Sequence, residues 1–181
     1  MAEDEADLVW RAQAGDRAAF GELTERHQRT VFRFLVGYVA DHHAAEELTQ
    51  ETLLRAFRRI RDLEEADRAR AWFVAIARNL ARRWLRRRRP APEPLEADTP
   101  ALAPDPAPDE RAATAMRALA LLRPADREVL VLFELEGLSH ARIAAITGDS
   151  ESALRNRLMR ARRRLRAIVE KMERESHYGE R

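Results

Sequence analysis

The chain of 181 residues is long enough for one large or two small domains, and a hydrophobic content of 45% supplies a buried core and excludes global disorder. Thirty-three basic and 31 acidic side chains leave a net charge of only +2, yet 35% of the residues are charged, so the distribution of sign matters more than its sum. Zero cysteines exclude a disulfide framework, a thiolate nucleophile, a zinc ribbon and a cysteine redox switch.

By segment the charge is −5 over residues 1–65, +8 over 66–89, −6 over 90–110 and +5 over 111–181. Two basic blocks are therefore separated by an acidic one. No apolar stretch approaches the roughly 20 residues that span a bilayer, and the chain opens Met1-Ala2-Glu3-Asp4-Glu5 rather than with a basic and then apolar leader. A protein without membrane insertion, in a reducing cytoplasm, is expected. All but one of the 33 basic residues are Arg, the exception being Lys171, and GC-rich coding accounts for that as readily as guanidinium chemistry does.

Apolar residues recur at spacings of three and four, and glycine is confined to a few punctuating positions, so an all-α fold is predicted. The first helix covers 8–14 and stops at Gly15. Asp16 caps a long second helix carrying Phe20, Leu23, Val31, Phe32 and Leu35. A third begins near Asp41 and carries Leu48, Leu53, Leu54, Phe57 and Ile60 on a broad apolar face, beside an acidic shoulder of Glu46, Glu47, Gln50 and Glu51. A loop at 63–67 leads into a fourth helix over 69–89.

Seven of the eight prolines fall within 90–110, together with six acidic residues and no basic one. Proline fixes φ and lacks a backbone donor, so this segment is predicted to be an extended, flexible linker between domains at about 1–89 and 111–175, followed by a tail at 176–181. In the second domain Pro124 starts a helix running to about Glu136, and Gly137 ends it. Ser139 caps a short helix over 141–146, Gly148 permits a sharp turn, and Ser150 caps a long helix from Glu151 to about Met172. This is the pattern of a helix-turn-helix.

Seven arginines (155, 157, 160, 162, 163, 164 and 166) crowd into twelve residues of the last helix. A solvated face would tolerate such a run. Repulsion among like charges is costly unless an anion relieves it, however, and the preceding turn presents this helix to a major groove, so DNA binding is favoured. The fourth helix mixes Trp72, Phe73, Trp84 and a lone Asn79 with a basic carboxy-terminal half. Core packing or a membrane surface would suit an amphipathic helix of this kind, and so would single-stranded nucleic acid, with bases stacked on aromatics and phosphates held by arginine. His42 and His43 each precede a glutamate (Glu46, Glu47) by four residues, but no further ligands stand nearby, and a surface pairing is favoured over a metal site. No nucleophile elbow, phosphate-cradling loop or zinc-protease motif occurs, so no catalytic residue, metal or cofactor is assigned.

Several segments taken together resemble the small, two-domain extracytoplasmic-function sigma factors of bacterial RNA polymerase. They are Ala14-Gly15-Asp16-Arg17-Ala18-Ala19-Phe20, Ala45-Glu46-Glu47-Leu48-Thr49-Gln50-Glu51-Thr52, and Ala71-Trp72-Phe73-Val74-Ala75-Ile76-Ala77-Arg78-Asn79-Leu80-Ala81. In the second domain they are Leu122-Arg123-Pro124-Ala125-Asp126-Arg127-Glu128-Val129-Leu130, Glu136-Gly137-Leu138-Ser139 and Arg157-Leu158-Met159-Arg160-Ala161-Arg162-Arg163-Arg164-Leu165. The resemblance implies a region 2-like helical bundle and a region 4-like helix-turn-helix. It also implies that Glu46, Glu47, Gln50 and Glu51 dock on the polymerase core. Trp72, Arg78, Asn79, Arg82 and Arg86 would then engage the melted −10 strand. Arg155, Asn156, Met159 and Arg160 would read the −35 duplex, with Arg157 on a phosphate. An anti-sigma factor that clamps the domains is the implied regulatory partner, and the free chain is expected to be a monomer. Departures from the family pattern are Glu47 and Arg83 where Asp is usual, Ala153-Leu154 in place of Thr-Val, and a loop over 62–70 without the usual aromatic and glycine. The competing reading is a stand-alone helix-turn-helix regulator that binds duplex DNA without polymerase; a metal-dependent nuclease is a third, disfavoured by the ligand set.

Overall fold

The computed structural model describes residues 4–88 and 110–179, and among these it contains only helices and their connections. The predicted linker thus lies almost entirely outside the described residues. The amino-terminal half comprises α1 (Glu5–Gln13), α2 (Arg17–Val39), α3 (His42–Arg59) and α4 (Ala69–Arg88), with short 3-10 turns at Ile60–Asp62 and Ala66–Arg68 before α4. The carboxy-terminal half comprises α5 (Glu110–Ala120), α6 (Pro124–Leu130), a π-helical turn (Val131–Leu135), α7 (His140–Thr147) and α8 (Glu151–Gly179).

Helix starts follow from local chemistry. The Asp16 carboxylate accepts from the Ala18 and Ala19 amides at 2.9 and 3.1 Å, satisfying two donors that α2 would otherwise leave unpaired. The same side chain accepts from Arg11 Nε and Nη2 at 3.0 and 2.7 Å, tying α1 to the start of α2. Both the amide bonds and Arg11 hold the Asp16 carboxyl below its ordinary value, with Arg11 the larger influence. Asp41 caps α3 through the Ala44 amide at 2.9 Å, and Ser139 caps α7 through the Arg142 amide at 3.3 Å. Gly148, at φ 77°, takes the left-handed conformation that the turn between α7 and α8 requires.

Leu8, Leu23, Val31, Phe34, Leu35, Phe73 and Val74 form the centre of the amino-terminal bundle with no exposed surface. Leu132, Ile143 and Leu154, equally buried, centre the other half. Burying each such side chain stabilises by about 1.5–3 kcal/mol.

Three local expectations are corrected. The helix expected from Pro124 to about Glu136 is α-helical only to Leu130, after which the Glu136 amide reaches back to the Val131 carbonyl at 3.0 Å, a wider turn. That widening falls where the chain meets α2: a Cβ on Gly37 would stand 2.9 Å from Val131 Cγ2. The last helix continues to Gly179 rather than ending near Met172, so four of the six tail residues are helical. Finally, α5 was not anticipated.

The halves pack directly on one another. Arg127 donates to the carbonyls of Tyr38 in α2 (3.0 Å), of Ala120 at the end of α5 (2.9 Å) and of Leu122 just beyond it (3.1 Å), and burial lowers its guanidinium to about 10. The Tyr38 hydroxyl is pushed well above its ordinary value, first by burial and then by the adjacent Glu128 carboxylate. Arg142 of α7 reaches Asp67 at 3.3 Å.

Candidate nucleic-acid interface

Helix α8 divides sharply by side. Leu154, Leu158 and Ala161 point into the core, while Arg155, Asn156, Met159 and Arg160 are exposed, Met159 to 64%. Arg155 and Met159, like Asn156 and Arg160, stand one turn apart, and the four together cover about 140° of the helix, away from the buried side. An unbranched apolar side chain left in water among polar neighbours is what contact with a thymine methyl would use, and Arg and Asn offer the bidentate donors and acceptors that base edges require. Arg157 sits differently. Half-buried, it donates to both Asp149 oxygens, at 2.6 and 3.4 Å, and so braces the turn before α8. Elsewhere on this helix Arg162 pairs with Glu134 of the π-helical turn and Arg164 with Asp126 of α6, so part of the arginine run serves the packing of α8 on those elements.

Helix α4 carries Trp72, Asn79 and Arg86 at intervals of seven with Arg82 between them, one stripe of the surface. Asn79, Arg82 and Arg86 are exposed, and Trp72 is half-buried edge-on against Phe73 at 5.3 Å. Arg78, one position round the helix, is buried, and its Nε donates to Glu128 Oε1 of α6 at 2.5 Å. The structure therefore separates Arg78 from the other four α4 residues. At the carboxy-terminal end Arg88 lies over the Trp84 ring at 4.6 Å and bonds Asp41 at 2.8 Å, anchoring the basic end of α4 to the start of α3.

On α3 the predicted acidic group is brought together: Glu46, Glu47, Gln50 and Glu51 are all exposed, opposite buried Ala45, Leu48 and Thr52. Leu54 and Phe57, placed with the apolar face by periodicity, are instead 49% and 43% exposed. An acidic patch adjoining an aromatic and a leucine is a surface suited to a protein partner with complementary charge. His42 and His43 stand 3.7 and 3.4 Å from Glu46 and Glu47 as ordinary pairs one turn apart, and among the described residues no three or more His, Cys, Asp or Glu groups gather where a metal ion could be held.

Residues 23–91 match the family model for Sigma-70 region 2, and residues 113–165 match that for Sigma-70 region 4. The chain is 34% identical over 177 residues to the ECF RNA polymerase sigma factor SigC of Mycobacterium tuberculosis, covering 93% of this chain and 94% of SigC. The chain belongs to the ECF family of RNA polymerase sigma factors. A second ECF sigma factor, BldN of Streptomyces coelicolor, is 36% identical over 171 residues, 90% of this chain and 65% of BldN. Among curated relatives that it matches, this sigma factor thus spans under two thirds of some and nearly all of others. The solved structure of CnrH in complex with the cytosolic domain of CnrY superposes with a TM-score of 0.68 at 27% identity, over 91% of this chain and 96% of that one.

Sequence reasoning missed the residues that join the halves of this sigma factor: Glu128, Glu136, Arg33, Arg70 and Arg127. Glu128 and Glu136 lay inside quoted motifs, but nothing local distinguishes a carboxylate facing another helix 50 or more residues away. Among the described residues no helix is long and apolar enough to cross a membrane.

Proposed function

We propose that this chain is a promoter-specificity subunit without catalytic activity of its own. The observation that carries the reading is the division of α8, whose buried side anchors a helix-turn-helix while Arg155, Asn156, Met159 and Arg160 stand together in solvent. In this reading they read the −35 duplex, and Arg157 adds a phosphate contact from its brace on Asp149. Trp72, Asn79, Arg82 and Arg86 hold the melted −10 strand by stacking and charge, joined by Arg78 once it is free. Glu46, Glu47, Gln50 and Glu51, extended by Leu54 and Phe57, dock on a basic surface of core polymerase.

The domains act at about 1–89 and 111–175, with the acidic segment 90–110 linking them. The chain works as a monomer in the cytoplasm, without metal or cofactor. CnrH was solved with the cytosolic domain of another protein, and an inhibitory anti-sigma factor is the corresponding partner proposed here.

Co-purification with bacterial core polymerase, followed by run-off transcription on a promoter library with and without the protein, tests the reading. Stoichiometric binding and new promoter-dependent transcripts are expected. Tight duplex binding with no affinity for core polymerase would replace it with a stand-alone regulator.

A further inference from the structure

Gln13, the last residue of α1, directs both hydrogens of its side-chain amide at the loop that leads into α4. Its Nε2 donates to the Ile60 carbonyl at 3.1 Å and to the Leu63 carbonyl at 2.7 Å, partners 47 and 50 residues downstream. The loop bonds back, since Arg61 Nε donates to the Gln13 carbonyl at 3.4 Å. The Ile60 carbonyl also accepts from the Leu63 amide at 3.2 Å, so one side chain closes over both ends of the first 3-10 turn. Gln13 is itself fixed. Two bonds from Arg11 to Asp16, and the Asp16 amide on the Arg11 carbonyl at 3.0 Å, lock the corner between α1 and α2 from which it reaches.

Other polar ties of this loop are weaker. Arg59 with Asp62, Glu65 with Arg68 and Asp67 with Arg142 are largely exposed pairs, of a class that contributes little. Burial anchors the side chains of Ile60 and Leu63, and the Gln13 amide orients their carbonyls. The segment beyond Leu63 carries Glu64, Glu65 and Asp67, all exposed, and then Arg68, which stands one turn before Trp72. Carboxylates repel phosphate but accept from the amino group of cytosine. A loop held in one orientation therefore selects among bases, whereas a wandering one brings the same carboxylates against the sugar-phosphate chain.

We infer that Gln13 is a positioning residue for −10 recognition, an inference that rests on the reading of α4 as the helix that holds that strand. Gln13 touches no DNA; by orienting the loop over 60–68 it sets base selectivity for the melted strand. Losing its two bonds leaves the fold intact, because the site is part-buried and water takes the donor's place.

The test reconstitutes core polymerase with the full chain as wild type, Gln13→Met or Gln13→Lys. Both replacements match glutamine in helix propensity; Met donates nothing, while Lys keeps donors for two carbonyls. Each holoenzyme is titrated against a randomised single-stranded DNA pool, and selectivity is the enrichment of the best-bound strands over the pool mean. Affinity for a −35 duplex selected by the wild type is the control. Hydrogen exchange at the Leu63 amide in the free chain reports the state of the loop.

Gln13→Met is expected to lower selectivity at least fivefold and to speed Leu63 exchange at least tenfold, with duplex affinity within twofold of wild type. Gln13→Lys is expected to stay within twofold in all three. Full selectivity in the Met variant would overturn the inference, whatever the exchange rate. Equal losses of selectivity and duplex affinity would reduce Gln13 to a residue that merely supports the fold, and a Lys variant as poor as Met would refute the role of the donated bonds. A wild-type holoenzyme that selects no single strand would instead remove the −10 reading of α4, and the positioning with it, before any variant is compared.

Discussion

Replacing Arg157 by alanine removes one job that the fold places on this side chain and a second that is proposed for it. The first is structural: its guanidinium bonds both oxygens of Asp149, and the two side chains are only 28% and 23% exposed, so solvent screens the pair weakly. A charge-assisted bond of this kind contributes about 1.5–3 kcal/mol, which for a chain of this size lowers the melting temperature by about 3–12 °C. The second is the proposed phosphate contact. Losing it reduces the slope of log affinity against log salt by about 0.9, or about 3.5-fold in the affinity ratio between 50 and 200 mM salt. Asp149→Asn separates the two, weakening the brace while leaving the cation, so stability drops and the salt slope stays. Thermal melts and anisotropy titrations of a −35 duplex at several salt concentrations give both quantities. An Arg157→Ala protein that melts like wild type would refute the brace, and one with an unchanged salt slope would refute the phosphate contact.

His27 is buried and stacked on Phe73 at 4.9 Å, and burial holds its pKa below the ordinary 6.5 despite the nearby Glu5 carboxylate. The unfolded chain therefore binds that proton first, so stability is full above pH 6.5 and falls as pH drops through and below it; His27→Gln flattens this slope in urea titrations from pH 8 to 5. Phe73→Ala empties a site with no exposed surface and costs about 3–5 kcal/mol by the same titration at neutral pH. Glu46→Lys with Glu47→Lys changes stability by no more than about 0.5 kcal/mol per site, both being exposed, yet abolishes co-purification with core polymerase.

The helices and their starts were legible because their causes are local. Asp16, Asp41 and Ser139 are capping residues in sequence and accept the expected amides in the structure, and Gly148 turns the chain where a positive φ is needed. The same holds for the faces of α3 and α8, since steps of three and four decide which residues share a side. Two local departures escaped for a physical reason. The wide turn at Val131–Leu135 coincides with packing against α2, a cause that lies 94 residues upstream of Val131 at Gly37. Leu54 and Phe57 obey the apolar period of α3 but are only partly covered, Phe57 edge-on by Phe20 of α2 at 5.1 Å, which leaves them half-exposed.

Side chains 50 and 103 residues apart were beyond any such pattern. That Arg78 is a long basic residue on a helix of mixed character is plain from the sequence; that it turns inward onto Glu128, while Asn79 beside it faces water, is decided by where α6 comes to rest. Glu136 reads as part of a short motif before a helix-turn-helix, and only the approach of α2 and α4 makes it the buried acceptor for Arg33 and Arg70. Sequence by itself determined the all-α class, the capping and the chemistry on each face, because those depend on neighbours within one turn. Tertiary structure alone decided which charges are spent on the junction and which are left for a partner, because a buried ion is tolerable only when packing brings its counter-ion to it.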